Sequence, residues 1–350
     1  MKTILVTGGT GFIGSHTCIS LLEKGYRVIV FDSLINSSLE CINRIKKIIR
    51  IDREKDKENS LIFIKGDLRE INSIEEVFKK AEILNFQIEA VIHFAGLKSV
   101  SDSIKNPIDY WDNNLKGTIN LVKIMDKYKC NKLIFSSSAT IYASNSCEIY
   151  SEESKVNPNN PYGQTKLSIE KMLKDLCLRD SSYWKIACLR YFNPIGAHPS
   201  GIIGESPVGY STNIFPIINK VASGILKKIE IFGNNYPTKD GTGIRDYIHV
   251  VDLAEGHIAA LNYIREFEAK FIVINLGTGI GTTVLELIKV YEKVNKCKIP
   301  YVFTNRREGD LASVIANNKL AIKLLNWKPR NNLYDMCRDG WNWQKNNPFG

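Results

Sequence analysis

At 350 residues the chain is long for one hydrophobic core and comfortable for two. Its hydrophobic fraction of 44% and charged fraction of 24% are ordinary for a folded protein. The net charge of +10 comes from lysines and arginines scattered along the whole length, with no basic block interleaved with aromatics. This argues against nucleic acid as a partner and leaves a solvated, mildly positive surface that would suit an anionic small molecule.

Eight cysteines (Cys18, Cys41, Cys130, Cys147, Cys177, Cys188, Cys297 and Cys337) show no C-x-x-C spacing, as expected of reduced thiols. The histidines His16, His93, His198, His249 and His257 show no ligand spacing, so no metal is expected. No apolar run reaches the ~18 residues of a membrane span. The chain opens at once on a strand, Lys2 to Val6, which leaves no room for a leader, and a soluble cytoplasmic protein is expected.

Taken in chain order, short β-branched runs alternate with segments of helical period. Strands are predicted at Thr3–Val6, Arg27–Phe31, Leu61–Ile64, Ala90–Phe94, Lys132–Phe135 and Lys185–Leu189. Helices are predicted at Ile13–Lys24, closed by Gly25, and at Ser73–Lys80. Near-continuous apolar strands with crossover helices mean an α/β fold, a doubly wound parallel sheet of Rossmann type, over residues 1–190. The charged stretch Asp52–Asn59 reads as a surface loop. Pro and Gly crowd into Pro194–Tyr210, a domain boundary. Beyond it, strands at Ile229–Phe232 and Phe271–Ile274 and helices near Leu253–Ile264 and Thr283–Val294 suggest a smaller mixed α/β substrate domain, residues 191–350. A segment near 230–260 could return to the first domain. Ligands of open α/β sheets bind at the carboxyl edge of the strands, so the site is expected there, between the domains.

Two constellations carry chemistry. Gly8, Gly11 and Gly14 lie in Thr7–Gly14, after a strand and opening a helix, where they permit a tight turn, approach of a pyrophosphate and close packing. Asp32 ends the second strand, where a carboxylate bonds a ribose 2′-hydroxyl and repels a 2′-phosphate; NAD is the expected cofactor. Asp67 could accept from an adenine amino group or simply start a loop. The second constellation is Tyr162 and Lys166, four residues apart on one helical face after Asn160-Pro161. A nearby cation, with the positive nicotinamide ring, would lower the phenol pKa from ~10 toward that of a useful base. Ser136-Ser137-Ser138 ends the fifth strand, where a hydroxyl can reach a substrate.

These motifs resemble the extended short-chain dehydrogenase/reductase family. The strings His93–Lys98, Ser136–Tyr142, Arg190–Pro194, Asp240–Val250 and Arg306–Asp310 are similar to its UDP-glucose 4-epimerase branch over nearly the whole chain. The resemblance implies reversible oxidation of a UDP-hexose at C4 with bound NAD, rotation of the 4-keto sugar, and re-reduction. It implies Tyr162, Lys166 and Ser138 as catalytic. It assigns the cofactor to Gly8, Gly11, Phe12, Ile13, Gly14, Asp32, Asn36, Ser37, Asp67, Leu68, Phe94, Ala95, Lys98, Asn113, Tyr162, Lys166 and Phe192. It assigns the substrate to Ser138, Tyr162, Asn193, Asn213, Arg245, Arg307, Asp310 and Val314, with Arg245 and Arg307 on the diphosphate. Family members with tyrosine at the place of Val314 tend to be confined to glucose and galactose. A valine there leaves room for the N-acetylhexosamine pair, unless it merely packs inward as a strand residue.

Rival readings remain. A nucleotide-sugar 4,6-dehydratase needs an acid and a base after the strand-end serine, where this chain has Ala139 and Thr140. A net dehydrogenase with exchangeable NAD is a second alternative, and a silent NAD-sensing scaffold a third. Apolar residues beyond one stripe on the segments Tyr110–Lys127 and Gln164–Leu178 suggest a homodimer formed by a four-helix bundle, as in the family, or burial against the chain's own sheet.

Overall fold

The computed structural model describes residues 1–50, 59–143, 149–180, 183–207, 213–266, 271–307 and 309–348. The predicted charged loop therefore lies, except for Asn59, outside the described residues, as do Cys147 and Glu308.

Fourteen strands occur among the described residues. They are β1 (Thr3–Thr7), β2 (Arg27–Asp32), β3 (Leu61–Lys65), β4 (Ile88–His93), β5 (Lys132–Ser138), β6 (Ile149–Tyr150) and β7 (Lys185–Tyr191), followed by β8 (Asn193–Ile195), β9 (Ile229–Phe232), β10 (Ile244–His249), β11 (Phe271–Leu276), β12 (Gly281–Thr283), β13 (Tyr301–Thr304) and β14 (Ser313–Ala316). The helices are α1 (Phe12–Glu23), α2 (Glu40–Ile49), α3 (Ile71–Ile83), α4 (Val100–Lys105), α5 (Pro107–Tyr110), α6 (Gly117–Lys127) and α7 (Pro161–Arg179), then α8 (Ile214–Ala222), α9 (Val250–Glu266), α10 (Val284–Asn295), α11 (Lys319–Leu325) and α12 (Leu333–Asn346). A π-helical turn, Trp111–Lys116, joins α5 to α6.

The chain divides into two compact units. Unit 1 comprises Met1–Ala143, Lys155–Arg190 and Ala254–Ile274; unit 2 comprises Ser144–Ser154, Tyr191–Leu253 and Asn275–Gly350. The segment that returns to the first unit thus starts at Ala254 rather than near 230, and a short stretch before α7 leaves it.

Unit 1 is built on a seven-stranded sheet of order β11-β7-β5-β4-β1-β2-β3. The pairings of β3, β2, β1, β4 and β5 are parallel. This is the doubly wound order, with its switch point between β1 and β4. Strand β11 was expected in the second domain but is the edge strand of this sheet. All five residues of β1 are buried, as is the stretch of α1 from Gly14 to Leu22, so both faces of the sheet centre are covered. Gly25, at φ 78°, ends α1: its N–H donates to Leu22 O and that of Tyr26 to Leu21 O, a turn in which a Cβ would be strained.

Unit 2 contains a five-stranded sheet, β12-β10-β14-β6 with β8 beside β10, and a parallel pair β13-β9. Its core gathers Phe215, Ile218, Tyr247, Leu287, Tyr291 and Met336. Among the described residues no helix is long and apolar enough to cross a membrane.

Candidate active site

In unit 1 the loops after β1 and β4 meet at the switch point. Gly8 has φ 69°, and a Cβ on it would lie 2.6 Å from Ala95 N, so only glycine lets β1 turn beside the loop of Phe94 and Ala95. A Cβ on Gly14 would overlap the carbonyl oxygen of Gly8, which holds the start of α1 against the turn. The α1 N-terminus has Gly11 as its cap and no side-chain acceptor, leaving its first amides to a ligand.

Asp32, buried at the end of β2, accepts from Thr10 N (3.1 Å), Leu34 N (2.9 Å) and Ser37 Oγ (3.3 Å). Ser37 Oγ also meets Thr10 Oγ1 at 2.7 Å. A carboxylate has about four acceptor sites, so these three donors leave it able to take a hydroxyl. Asp67 accepts from Arg69 N at 2.9 Å and pairs with the Arg69 guanidinium at 2.7 Å, which holds its carboxyl below the usual range. Leu68 beside it is buried, whereas Asn36 is exposed and Phe12 and Ile13 are half-buried at the start of α1. The Phe94 ring packs against His257 at 4.7 Å.

The segment Ala95–Lys98 is fastened by a residue that sequence reading missed. The buried Asn114 amide accepts from Leu97 N (2.8 Å) and donates to Leu97 O (3.1 Å) and Thr165 Oγ1 (3.2 Å). Asn113, the expected cofactor residue, instead donates to Asp109 O one turn back. No signal in the sequence separates these adjacent asparagines; the π-helical turn sets which one faces inward.

The catalytic candidates converge at the end of β5. Asn160 Oδ1 caps α7 by accepting from Gly163 N at 2.9 Å, and Pro161 takes the first helical position. Tyr162, Lys166 and Ser138 are all nine-tenths or more buried. Ser138 Oγ accepts from Thr140 N (3.2 Å) and Thr140 Oγ1 (3.0 Å), which orients it at the strand end. Lys166 Nζ donates to Ser136 O at 2.7 Å and stands 5.9 Å from the Tyr162 ring centre. Burial lowers the Lys166 pKa to about 8. In the chain without its cofactor, burial raises the Tyr162 pKa, and the hydrogen bond with Ser138 only partly offsets this. The chain alone does not make the phenol a base, because desolvation outweighs the neighbouring polar groups. Sequence reading also missed Gly163, where a Cβ would lie 2.7 Å from Pro158 Cβ and 2.8 Å from Thr140 O. Glycine there seats α7 directly on the turn that carries Ser138.

In unit 2, β10 and β14 run parallel with Arg245 opposite Val314, so the two side chains share one face of the sheet. The Arg245 guanidinium donates to Ile244 O (2.8 Å), Leu311 O (2.9 Å) and Asp310 Oδ1 (3.2 Å). Arg307 stacks on the Phe232 ring at 3.8 Å, and Asp310 N donates to Arg307 O. On the opposite face Asp246 is fully buried and accepts from Thr278 N, Thr278 Oγ1, Gly279 N and Ala316 N, pinning β10 to its neighbours. Asn193 lies on β8 opposite Tyr247, Asn213 precedes α8 and donates to Glu205 Oε1, and Phe192 is buried with its N–H toward Leu276 O. Of the expected substrate residues, the structure brings Arg245 and Val314 onto one face of this sheet, with Asp310, from the loop before β14, bonded to Arg245.

The family model described as GDP-mannose 4,6 dehydratase matches residues 5–340. The chain is 48% identical to UDP-glucose 4-epimerase 2 of Arabidopsis thaliana, over 100% of this chain and 97% of that one. It is 48% identical to the UDP-glucose 4-epimerase of Bacillus subtilis, over 99% and 98%. The crystal structure of the Bifidobacterium longum UDP-glucose 4-epimerase in complex with NAD+ and UDP superimposes with a TM-score of 0.92 at 45% identity, covering 100% of both chains. With the doubly wound sheet, the glycine turn and the Ser138/Tyr162/Lys166 cluster in place, full-length identity at this level settles the kinship: the chain belongs to the UDP-glucose 4-epimerase family of extended short-chain dehydrogenases/reductases.

Proposed function

We propose that the chain interconverts UDP-glucose and UDP-galactose by inversion at C4. The observation that carries this reading is the buried Ser138, Tyr162 and Lys166 cluster at the end of β5, beside a glycine turn with an uncapped helix start. That turn and Asp32 fit NAD: the glycines leave a cradle that a Cβ would fill, and the carboxylate keeps acceptor capacity for a ribose. NAD, when bound, supplies the hydride acceptor and donor at C4 and a positive ring that favours phenolate. Tyr162 takes the proton of the C4 hydroxyl and, after the keto sugar has turned, returns it to the C4 oxygen, while inversion follows from hydride returning to the opposite face of C4. Ser138 holds the reacting oxygen by a hydrogen bond, and Lys166 holds the ribose next to the phenol. Arg245 and Arg307 anchor the diphosphate, so the sugar remains free to turn. Asn193 and Asn213 bond phosphate or sugar oxygens, and Asp310 holds the uridine end. Elimination has no support here, since Ala139 and Thr140 form the turn after Ser138 and neither is an acid or a base.

Val314 shares a sheet face with Arg245 and is half-buried, which favours acceptance of N-acetylhexosamine nucleotides as well. A homodimer is part of the reading: Leu121, Val122, Met125 and Ile169 pack into the chain's own core, which leaves Leu178 at the end of α7, 70% exposed, as the apolar residue of the two segments that supports pairing. Purified protein is incubated with UDP-galactose and no added NAD. Formation of UDP-glucose is expected; strict dependence on added NAD, with NADH accumulating, would instead identify a dehydrogenase.

A further inference from the structure

The proposed mechanism leaves one buried charged cluster unused. Glu170 and Arg190 form an ion pair at 2.6 Å with side chains 5% and 7% exposed. Glu170 Oε1 also accepts from Arg190 Nε (3.0 Å) and from Ser137 Oγ (2.5 Å), the residue next to Ser138. The Arg190 guanidinium donates onward to the Tyr142 hydroxyl at 3.2 Å, beyond the turn that follows Ser138. Glu170 therefore ties α7, β5, β7 and the segment after β5 into one hydrogen-bonded group. It lies one helical turn from Lys166 and two from Tyr162, on the same buried face of α7.

A buried ion pair is weak evidence for stability, since desolvation offsets most of the attraction. Its position relative to Lys166 suggests a different use. Lys166 is itself buried, with its Nζ on a carbonyl rather than a carboxylate. The groups that act on it are Tyr162 and Glu170 on its own helix, Cys188 on β7, the Phe135 ring on β5 at 4.8 Å, and His93 on β4, with Arg190 of β7 on the far side of Glu170 as its ion-pair partner. His93 is neutral at physiological pH, because burial pushes its pKa down to about 3. Glu170 is thus the carboxylate facing Lys166 among the described residues, and it opposes the burial that drives the lysine toward neutrality.

We propose that Glu170, fixed by Arg190, is a positioning residue that keeps Lys166 charged beneath Tyr162 and sets the end of β5 that carries Ser138. This rests on the epimerase reading.

The test is the pH dependence of kcat for UDP-galactose in the NAD-loaded enzyme. A cationic Lys166 is present below its pKa, which burial lowers, and is lost above it, so wild type should decline on the alkaline side. Glu170→Gln should move this decline to lower pH by about one unit, the usual effect of losing an adjacent opposite charge. Because that variant strands a buried guanidinium whose own charge adds to the shift, Glu170→Gln/Arg190→Met is measured beside it and should show a smaller shift in the same direction. Glu170→Asp keeps the charge and should restore the wild-type limb. A limb that stays in place in every folded variant, or failure of both Gln variants to fold with NAD, overturns the role of Glu170. An inactive wild type refutes the epimerase reading itself.

Discussion

Gly163 offers a prediction in which two opposite effects can be weighed. Alanine inside a helix ordinarily stabilises by roughly 0.5–1 kcal/mol over glycine. Here the new Cβ would stand 2.7 Å from Pro158 Cβ and 2.8 Å from Thr140 O, where ordinary contact begins at 3.4 Å. The helix start and the Ser138 turn must therefore separate by about 0.6–0.7 Å, and one of the two obstacles is backbone that cannot rotate away. Overpacking of this kind costs about 1–3 kcal/mol, so the net result is a loss of about 1 kcal/mol and a slightly lower melting temperature. The catalytic effect should be larger. Tyr162 and Ser138 sit on the two elements being pushed apart, and misplacement approaching 1 Å costs about 10²-fold. Gly163→Ala should thus lower kcat by one to two orders of magnitude with NAD retained, as read by UDP-galactose turnover, thermal melting and cofactor content. Gln164→Ala, on the exposed side of the same turn, serves as the control. A Gly163→Ala enzyme with wild-type kcat would refute the claim that this glycine sets the distance between the two catalytic groups.

Further outcomes follow from the same geometry. Tyr162→Phe should lower kcat by about 10²–10⁴-fold while NAD stays bound, checked by steady-state kinetics and by cofactor released on denaturation. Val314→Tyr should suppress turnover of UDP-N-acetylgalactosamine and leave UDP-galactose turnover largely intact; equal loss of both would count against a gate at this position. For His93, burial lowers the folded-state pKa from 6.5 to about 3, so the unfolded chain takes up a proton first as pH falls. This contribution to stability is complete above pH 6.5 and is lost progressively toward pH 3, and in acid denaturation His93→Gln should flatten the slope across that window.

Local features were legible in the sequence because their physics is local. Strand β1, the glycine turn and the Gly25 helix end follow from short apolar runs and backbone freedom. The helix start at Asn160-Pro161 follows from the preference of proline for the first turn, and the shared face of Tyr162 and Lys166, four apart, from helical period. What depended on partners distant in sequence was not legible. An apolar run marks Phe271–Leu276 as a strand, but nothing in it tells which sheet it joins. Glu170 reads as an ordinary helix-surface charge until Arg190 arrives from β7 to pair with it. Asp246 lies inside the string Asp240–Val250, but nothing in that string tells that it is buried under four hydrogen bonds. The burial that raises the Tyr162 pKa in the chain alone was not legible either, because residue spacing reports a nearby cation and says nothing of desolvation.

The place of β11 at the sheet edge also bears on how the protein is made. Strand β7 ends at Tyr191 and β11 begins at Phe271, so about 80 residues separate neighbours in the same sheet. At 5–20 residues per second, a ribosome delivers the second strand roughly 4–16 s after the first. Through that interval β7 presents a bare row of N–H and C=O groups on an apolar strand, the kind of edge that recruits other chains. The nascent cofactor unit is thus most prone to aggregate while the second unit is being synthesised, and the passage of Phe271–Leu276 out of the ribosome closes that window.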